Sequence, residues 1–451
     1  MRIHVSYEKT LPRSDADAEV VVHTAAALAR RGHALTLVAP GQPGRPPLST
    51  EDLLAHQGAR APLERFGFLE ASAHLGDGPG GLFLPLRMGA QAHRVVRDPR
   101  ARAADVFYAR NPLTLALALR AGHRVLFDHY RPWADQVPPL QPFLRAALLH
   151  PRCLGAVLHS EVARQSYARL GVPADQLRVV HNGWAPSRLE PRLSRADARA
   201  RVGLPVDRPV AVYAGRVNAA KGLDVVLAMA RHLPQVLFVL VGSTGEGPIE
   251  RAAANLENVR VVPWQAFADT APYLHAADAL IIPPSAAPLT QHGSTVLPLK
   301  LFLYLGAGKA ILAPSGPDVR ELLEHDRNAL LVPPGDVPAA LVALRALVGD
   351  RLLRERLGRR AREDAEALTW DGRAARIEAF LEERLATQAP AEWSPRRFLQ
   401  ESRRWVAQAL ARGRVVLPAR KEPRRRAADG DGQHAKQQPQ VDARAALGLR
   451  R

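Results

Sequence analysis

Residues 209–242 read PVAVYAGRVNAAKGLDVVLAMARHLPQVLFVLVG. An apolar run at 210–214 meets Gly215. A polar stretch with two cations, Arg216 and Lys221, follows, then an amphipathic segment, then a second apolar run that ends on Gly242. Runs that are apolar throughout suit strands buried on both faces, as in a parallel sheet. Two of them joined by a helical segment make a βαβ unit, so the stretch predicts a doubly wound α/β fold.

The same rhythm extends in both directions. Downstream, VRVVPW, ALIIPP, KAILAP and NALLVPP each read as buried strands separated by helical segments. Helices are expected around 339–347, 351–368 and 370–385. Upstream, strands are expected at 3–6, 34–39, 106–109, 124–127, 155–158 and 178–180. A helix is expected at 16–31, where Val20, Val21, Ala25 and Leu28 recur at helical spacing and Gly32 supplies a stop. Residues 186–208 are rich in Arg and Pro and carry no buried-strand signal. The reading is therefore two Rossmann-like domains, 1–185 and 209–387, joined by a linker at 186–208, with a biased, partly disordered basic tail at 388–451.

Composition narrows the function. Lys and Arg number 62 against 44 Asp and Glu, a formal charge of +18. Half of that excess lies in the tail, where 15 Lys/Arg face 6 Asp/Glu. A basic balance suits phosphate-rich partners, and it also suits a genome that prefers Arg with a solvated tail. Cys153 is the single cysteine, so no disulfide can form within the chain. No apolar run approaches the length of a membrane span, and the expected location is cytoplasmic.

Two nucleotide motifs fail. The loop after the first strand reads YEKTLPRSDADAE and holds no glycine, which disfavours a dinucleotide dehydrogenase. Gly308-Lys309 resembles the end of a phosphate loop. A phosphate loop needs Gly at 303 and Ser or Thr at 310, where Leu303 and Ala310 stand.

The motif that remains is Gly215 to Gly222, GRVNAAKG. Two cations five residues apart, on a loop and at an expected helix start, can converge on one anion such as a diphosphate. The plainer reading is a loop arginine and a solvated lysine. A second constellation spans 292–314, HGSTVLPLKLFLYLGAGKAILAP. It has a glycine turn, an expected helix start at Ser294/Thr295, a helix with Lys300, and a strand. Its helix N-terminus points out of the carboxyl edge of the sheet, where open α/β sheets bind ligands.

At this point the chain resembles retaining GT-B glycosyltransferases of family 4 (glycosyl transferases group 1). The stretches YAGRVNAAKGLDVVL, FVLVGSTGEG, NVRVVPW, YLHAADALIIPPS, PLKLFLYLGAGKAIL, VRELLEHDRNALLVPPGD and TWDGRAARI bear that likeness in the second half. LARRGHALTLVAP, VFYAR, LHSEVARQSYARLGVP and VVHNG bear it more loosely in the first. The resemblance implies two domains facing a cleft. It also implies a nucleotide-diphosphate sugar as donor substrate, with no cofactor and no metal. Sugar would pass to a glycan, lipid or small-molecule acceptor held mainly by the first half.

Arg216 and Lys221 fall on the family's diphosphate pair. Ser294 and Thr295 fall on the loop that meets sugar and diphosphate. Gly215, Gly242 and Lys300 fall beside them as donor-binding positions. His129, after Asp128 at a strand end, falls where a histidine faces the donor sugar; the alternative is a histidine satisfied at a strand terminus. The family's two glutamates, eight positions apart, are replaced by Thr295 and Leu303, and Leu303 stands where the second grips the ribose. A catalytically inactive GT-B-like binding or partner subunit is the alternative function.

Three further features have two readings each. The acidic residues of 13–17 either read acceptor hydroxyls or cap the helix that follows. Asn182-Gly183 matches the hinge-side turn, a turn first and a functional site second. The segment 395–416 either docks as a terminal helix on the first half or lies peripherally on an anionic membrane. No nucleic-acid partner is expected.

Overall fold

A computed structural model describes residues 1–41, 46–71, 83–286 and 297–387 of the protein. Two parallel sheets form. The first contains β1 (Arg2–Ser6), β2 (Ala34–Pro40), β3 (Phe66–Ala71), β4 (Val106–Ala109), β5 (Val125–His129), β6 (Cys153–Leu158) and β7 (Leu177–Val179), in the order β3-β2-β1-β4-β5-β6-β7. The second contains β8 (Val210–Ala214), β9 (Leu237–Ser243), β10 (Val259–Pro263), β11 (Ala279–Ile281), β12 (Ala310–Pro314) and β13 (Leu330–Val332), in the order β10-β9-β8-β11-β12-β13. Each order reverses once, at β1/β4 and at β8/β11. Such switch points open a crevice at the carboxyl edge. The strand at β3 is absent from the sequence reading. Its alternation (Phe66 and Phe68 buried) is obscured by Gly67 and Leu69, and it forms because β2 offers a parallel partner from Leu35 to Pro40.

The helix Ala16–Arg30 begins where Asp15 accepts a hydrogen bond from the Ala18 amide at 2.9 Å, so Asp15 is a cap. The linker is strapped to the second half. Its helix Arg195–Val202 buries Arg199, whose Nη2 lies 2.6 Å from Asp278 Oδ2 and whose Nε donates to the Ala276 carbonyl at 3.0 Å.

The last described helix, Trp370–Thr387, is grouped by sequence with the second half. It packs instead into the first: Trp370, Ala374, Ile377, Phe380 and Leu381 share a core with Ile3, Val21 and Leu28. Arg373 seals this junction. It is fully buried, with Nη2 2.7 Å from Asp128 Oδ2 and Nε donating to Thr24 Oγ1 at 3.0 Å. Asp128 also accepts from His159 Nε2 at 2.5 Å and from the Tyr108 hydroxyl. Burial works to raise the Asp128 pKa, yet Arg373 and then His159 hold it well below the ordinary carboxylate value.

The chain thus crosses between halves twice, and the crossings touch. Trp184 bridges to Thr369, and a Cβ on Gly183 would lie 2.6 Å from the Thr369 carbonyl carbon. Gly183 is required by that close approach, beyond any turn it makes. Glu321 follows β12. It accepts from the amides of Glu161 (2.8 Å) and Val162 (3.2 Å), which follow β6, and from His181 Nε2 at 2.9 Å. Segments leaving the carboxyl edges of the two sheets therefore meet. Segment 395–416 and the rest of the tail lie outside the described residues.

Candidate functional site

The carboxyl edge of the second sheet is built for close approach. Gly215 (φ +145°) and Gly242 (φ +114°) end β8 and close β9, and a Cβ on Gly242 would sit 2.5 Å from the Gly215 carbonyl oxygen. A Cβ on Gly215 would sit 2.7 Å from Lys300 Nζ. Only residues without side chains let the two strand ends and this lysine share the space. The Gly215 amide donates to the Val241 carbonyl at 2.9 Å, fixing the turn.

Lys300 reaches this edge from the helix Leu299–Ala307. Its Nζ lies 3.5 Å from the centre of the Tyr213 ring, a cation–π contact. Tyr213 in turn donates its hydroxyl to the Arg216 carbonyl at 2.8 Å. Lys221 is not on the helix start that the spacing suggests. It closes a 3-10 turn, Ala219–Lys221, and Gly222 (φ +70°) separates it from the helix Leu223–His232. Neither N-cap residue, Gly222 or Pro298, caps its helix with a side chain, and both helix N-termini point to this edge.

The charges are unbalanced. Among the described residues Arg216, Lys221 and Lys300 have no carboxylate within ion-pair distance, and Arg216 and Lys221 are exposed. Burial, then Lys221, pushes the Lys300 pKa well below the usual lysine value. Burial, then Arg216, lowers that of Lys221. Cations that depress one another across a cleft edge gain most from a shared polyanion. Ser294 and Thr295 lie outside the described residues.

The first half contributes a different surface. Asp128 and His129 are adjacent on β5, so they face opposite sides of the sheet. Asp128 belongs to the buried junction above. His129 is packed among Phe127, Tyr130 and Trp133, with ring centres 5.4, 5.2 and 4.3 Å away. Its Nδ1 lies 3.2 Å from both the amide nitrogen and the carbonyl oxygen of Arg131. Burial lowers its pKa to about 3. It is therefore a neutral imidazole at neutral pH.

Nearby, Asp17 is held by Arg110 Nη2 (2.9 Å) and Lys9 Nζ (2.6 Å), while Glu8, beside Asn111 Nδ2 at 3.5 Å, has its pKa raised by burial and then by Asp17. Sequence reading missed Glu8, Lys9 and Arg110 as neighbours. Arg110 ends VFYAR, a strand end, and that was the available signal. No group of three or more His, Cys, Asp or Glu side chains suited to a metal occurs among the described residues.

Residues 208–350 match the family model Glycosyl transferases group 1, and residues 18–188 match Glycosyltransferase Family 4. The chain is 30% identical over 219 residues to D-inositol 3-phosphate glycosyltransferase of Xylanimonas cellulosilytica, covering 46% of this chain and 51% of that protein. It is 24% identical over 233 residues to sulfoquinovosyl transferase SQD2 of Arabidopsis thaliana, covering 50% and 43%. These matches span about half the length of the curated relatives. Among solved structures, sucrose-phosphate synthase from Thermosynechococcus elongatus superposes with TM-score 0.67 at 18% identity, over 85% of this chain and 99% of that one. Anabaena Alr3699/HepE in complex with UDP-glucose gives 0.61 at 16%, over 85% and 100%. The fold is GT-B, and each half matches a glycosyltransferase family model.

Proposed function

We propose that the protein is a glycosyltransferase that moves a sugar from a nucleotide-diphosphate sugar to an acceptor hydroxyl on a glycan, lipid or small molecule, with retention at the anomeric carbon. The carrying observation is the trio Arg216, Lys221 and Lys300, unneutralised and gathered around the Gly215/Gly242 edge. As the bond from sugar to diphosphate breaks, negative charge grows on the leaving oxygen. Fixed cations and the positive ends of the helix dipoles stabilise that charge where it develops. His129 enters this reading as a neutral imidazole facing the donor sugar. Two named relatives are glycosyl and sulfoquinovosyl transferases, and one structural neighbour holds UDP-glucose, which supports the same donor class here.

The test is turnover of nucleotide sugars alongside calorimetric titration with UDP, GDP and ADP. Arg216→Ala and Lys221→Ala should each lower kcat by about 10²–10³, the scale of removing one preorganised transition-state donor. Both side chains are exposed, so the melting temperature should not move. Unchanged turnover in the double variant would place the diphosphate elsewhere.

A further inference from the structure

We propose that the amino edge of the second sheet carries a second, separate binding site for a phosphate group, free or on a monoester, where Arg192, His275, Lys309 and Arg362 meet. Lys309 immediately precedes β12, whereas the donor cations gather at the carboxyl edge. β12 is 5 residues long, so the two edges lie roughly 15 Å apart. Four elements converge at the amino edge. Arg192 comes from the linker and is exposed. His275 lies near the end of the helix Phe267–Ala276. Lys309 follows Gly308, the left-handed stop (φ +65°) of the helix Leu299–Ala307. Arg362 comes from the helix Arg351–Ala365, which packs so closely on this stop that a Cβ on Gly308 would lie 3.2 Å from the Arg362 Cβ. Arg192 Nη2 and Arg362 Nη1 both donate to the Gly306 carbonyl, at 3.4 and 2.5 Å. Arg362 is also held 5.0 Å from the centre of the Trp184 ring. The carbonyl takes one N–H of each guanidinium, and each has five to offer.

Charge at this junction is unbalanced. Asp278, just before β11, is already committed: it accepts from Arg199 Nη2 (2.6 Å), Arg195 Nη1 (2.7 Å) and the Val210 amide (2.9 Å). Among the described residues, Arg192, Lys309 and Arg362 have no carboxylate within ion-pair distance. Burial lowers the Lys309 pKa to about 8 against the pull of Asp278, and Arg195 adds to the fall. Burial, then Arg192, lowers that of Arg362, with Glu366 opposing at longer range. His275 supplies an independent sign of a missing ligand. It is 3% exposed, yet its Nε2 has no hydrogen-bond partner among the described residues. Its Nδ1 accepts from the Leu193 amide at 3.4 Å. Burial, then Lys309 and Arg192, lowers its pKa to about 4, so the ring is neutral and its proton sits on Nε2. A buried donor left unmade is costly. One N–H donor beside three unneutralised cations suits an oxyanion, and guanidinium forks match the paired oxygens of phosphate. A phosphate bound there would tie the linker to β12 and to the helix Arg351–Ala365.

The experiment is calorimetric titration of the full chain carrying Arg216→Ala and Lys221→Ala, which removes competition from the donor edge. The probes are inorganic phosphate and glycerol phosphate at fixed ionic strength, and at least one should bind. Adding Lys309→Gln or Arg192→Gln should weaken that binding by about 10- to 100-fold, the scale of one charge-assisted hydrogen bond. Phosphate should also raise the melting temperature of the otherwise wild-type chain more than that of either single variant, which separates a site from the general salting effect of phosphate. Lys309→Gln removes a desolvated charge and should melt at or above the wild type in chloride, so lost binding there is not lost folding. Tighter binding of glycerol phosphate would assign the site to a monoester, and tighter binding of inorganic phosphate to the free anion. Binding of neither probe, or undiminished binding in both Lys309→Gln and Arg192→Gln, would overturn the site and leave the donor reading standing.

Discussion

Leu303 stands where the resemblance places a ribose-gripping glutamate. Two outcomes for Leu303→Glu follow from sequence: tighter nucleotide binding if the side chain faces the ribose, or loss of stability if it faces the interior. At 9% exposure, within the apolar cluster that includes Leu301, Phe302 and Leu305, it is a core residue. Leu303→Glu should therefore destabilise the second half by at least the roughly 2–5 kcal/mol of a truncated core leucine, because it also buries a carboxylate with no partner. Denaturant unfolding monitored alongside nucleotide titration checks this. A variant of native stability that binds nucleotide more tightly would show that the helix turns this face to the ligand. Asp128 makes the converse point. The resemblance set it beside His129 at the strand end, whereas its contacts make it the anchor of Arg373. Asp128→Asn should cost about 3–5 kcal/mol of stability, the penalty for leaving a buried arginine unpaired.

At the scale of elements, the candidate site depends on how β8 hands over to the helix Leu223–His232. Gly222 makes that joint at φ +70°, and a Cβ there would collide with the Ser285 side chain. Gly222→Ala should cost about 1–2 kcal/mol for the left-handed backbone alone. The more telling effect is displacement of Lys221, which immediately precedes the joint. Donor KM should rise in the variant while far-ultraviolet dichroism stays native. A variant with wild-type KM would mean that Lys221 is positioned independently of the turn. The helix Trp370–Thr387 shows the same dependence on a larger scale, since its apolar face completes the core of the first half. Truncation after residue 369 should expose Val21 and Leu28 and prevent the first half from folding, which a protease-resistance assay reads directly.

Across the whole molecule, buried histidines set the acid limit. His4, His129 and His159 are each 3% exposed or less, with pKa values lowered to about 4, 3 and 4, and burial is the leading cause in each. Their unfolded values lie near 6.5, so the unfolded chain takes up protons first as pH falls. Stability should be full above about pH 6.5 and should decline as pH drops toward the folded values. A tenfold difference in proton affinity between the folded and unfolded chain is worth about 1.4 kcal/mol, so the combined loss by pH 4 should reach several kcal/mol. Asp128 adds to it at the acid extreme. Its pKa is depressed on folding, so its contribution is present above the ordinary carboxylate range and is lost as pH falls toward the folded value. Melting temperature measured from pH 8 to pH 4 checks the trend. A flat profile would show these rings to be hydrated in solution.

The sequence by itself determined the two parallel sheets, because strands buried on both faces leave unbroken apolar runs such as VAVYA and LFVLV, and these repeat along the chain. It also singled out Gly215, Arg216, Lys221 and Gly242, because glycines and cations at strand ends stand out against apolar strands. Tertiary structure alone decided that Trp370–Thr387 completes the first core and that Asp128 is an anchor. It also decided that Leu303 is interior and that Arg192, Lys309 and Arg362 meet at the amino edge of the second sheet. Periodicity records which face of an element is apolar, but not which of two cores will cover it. Nor does it record which distant residues a strand order will set side by side.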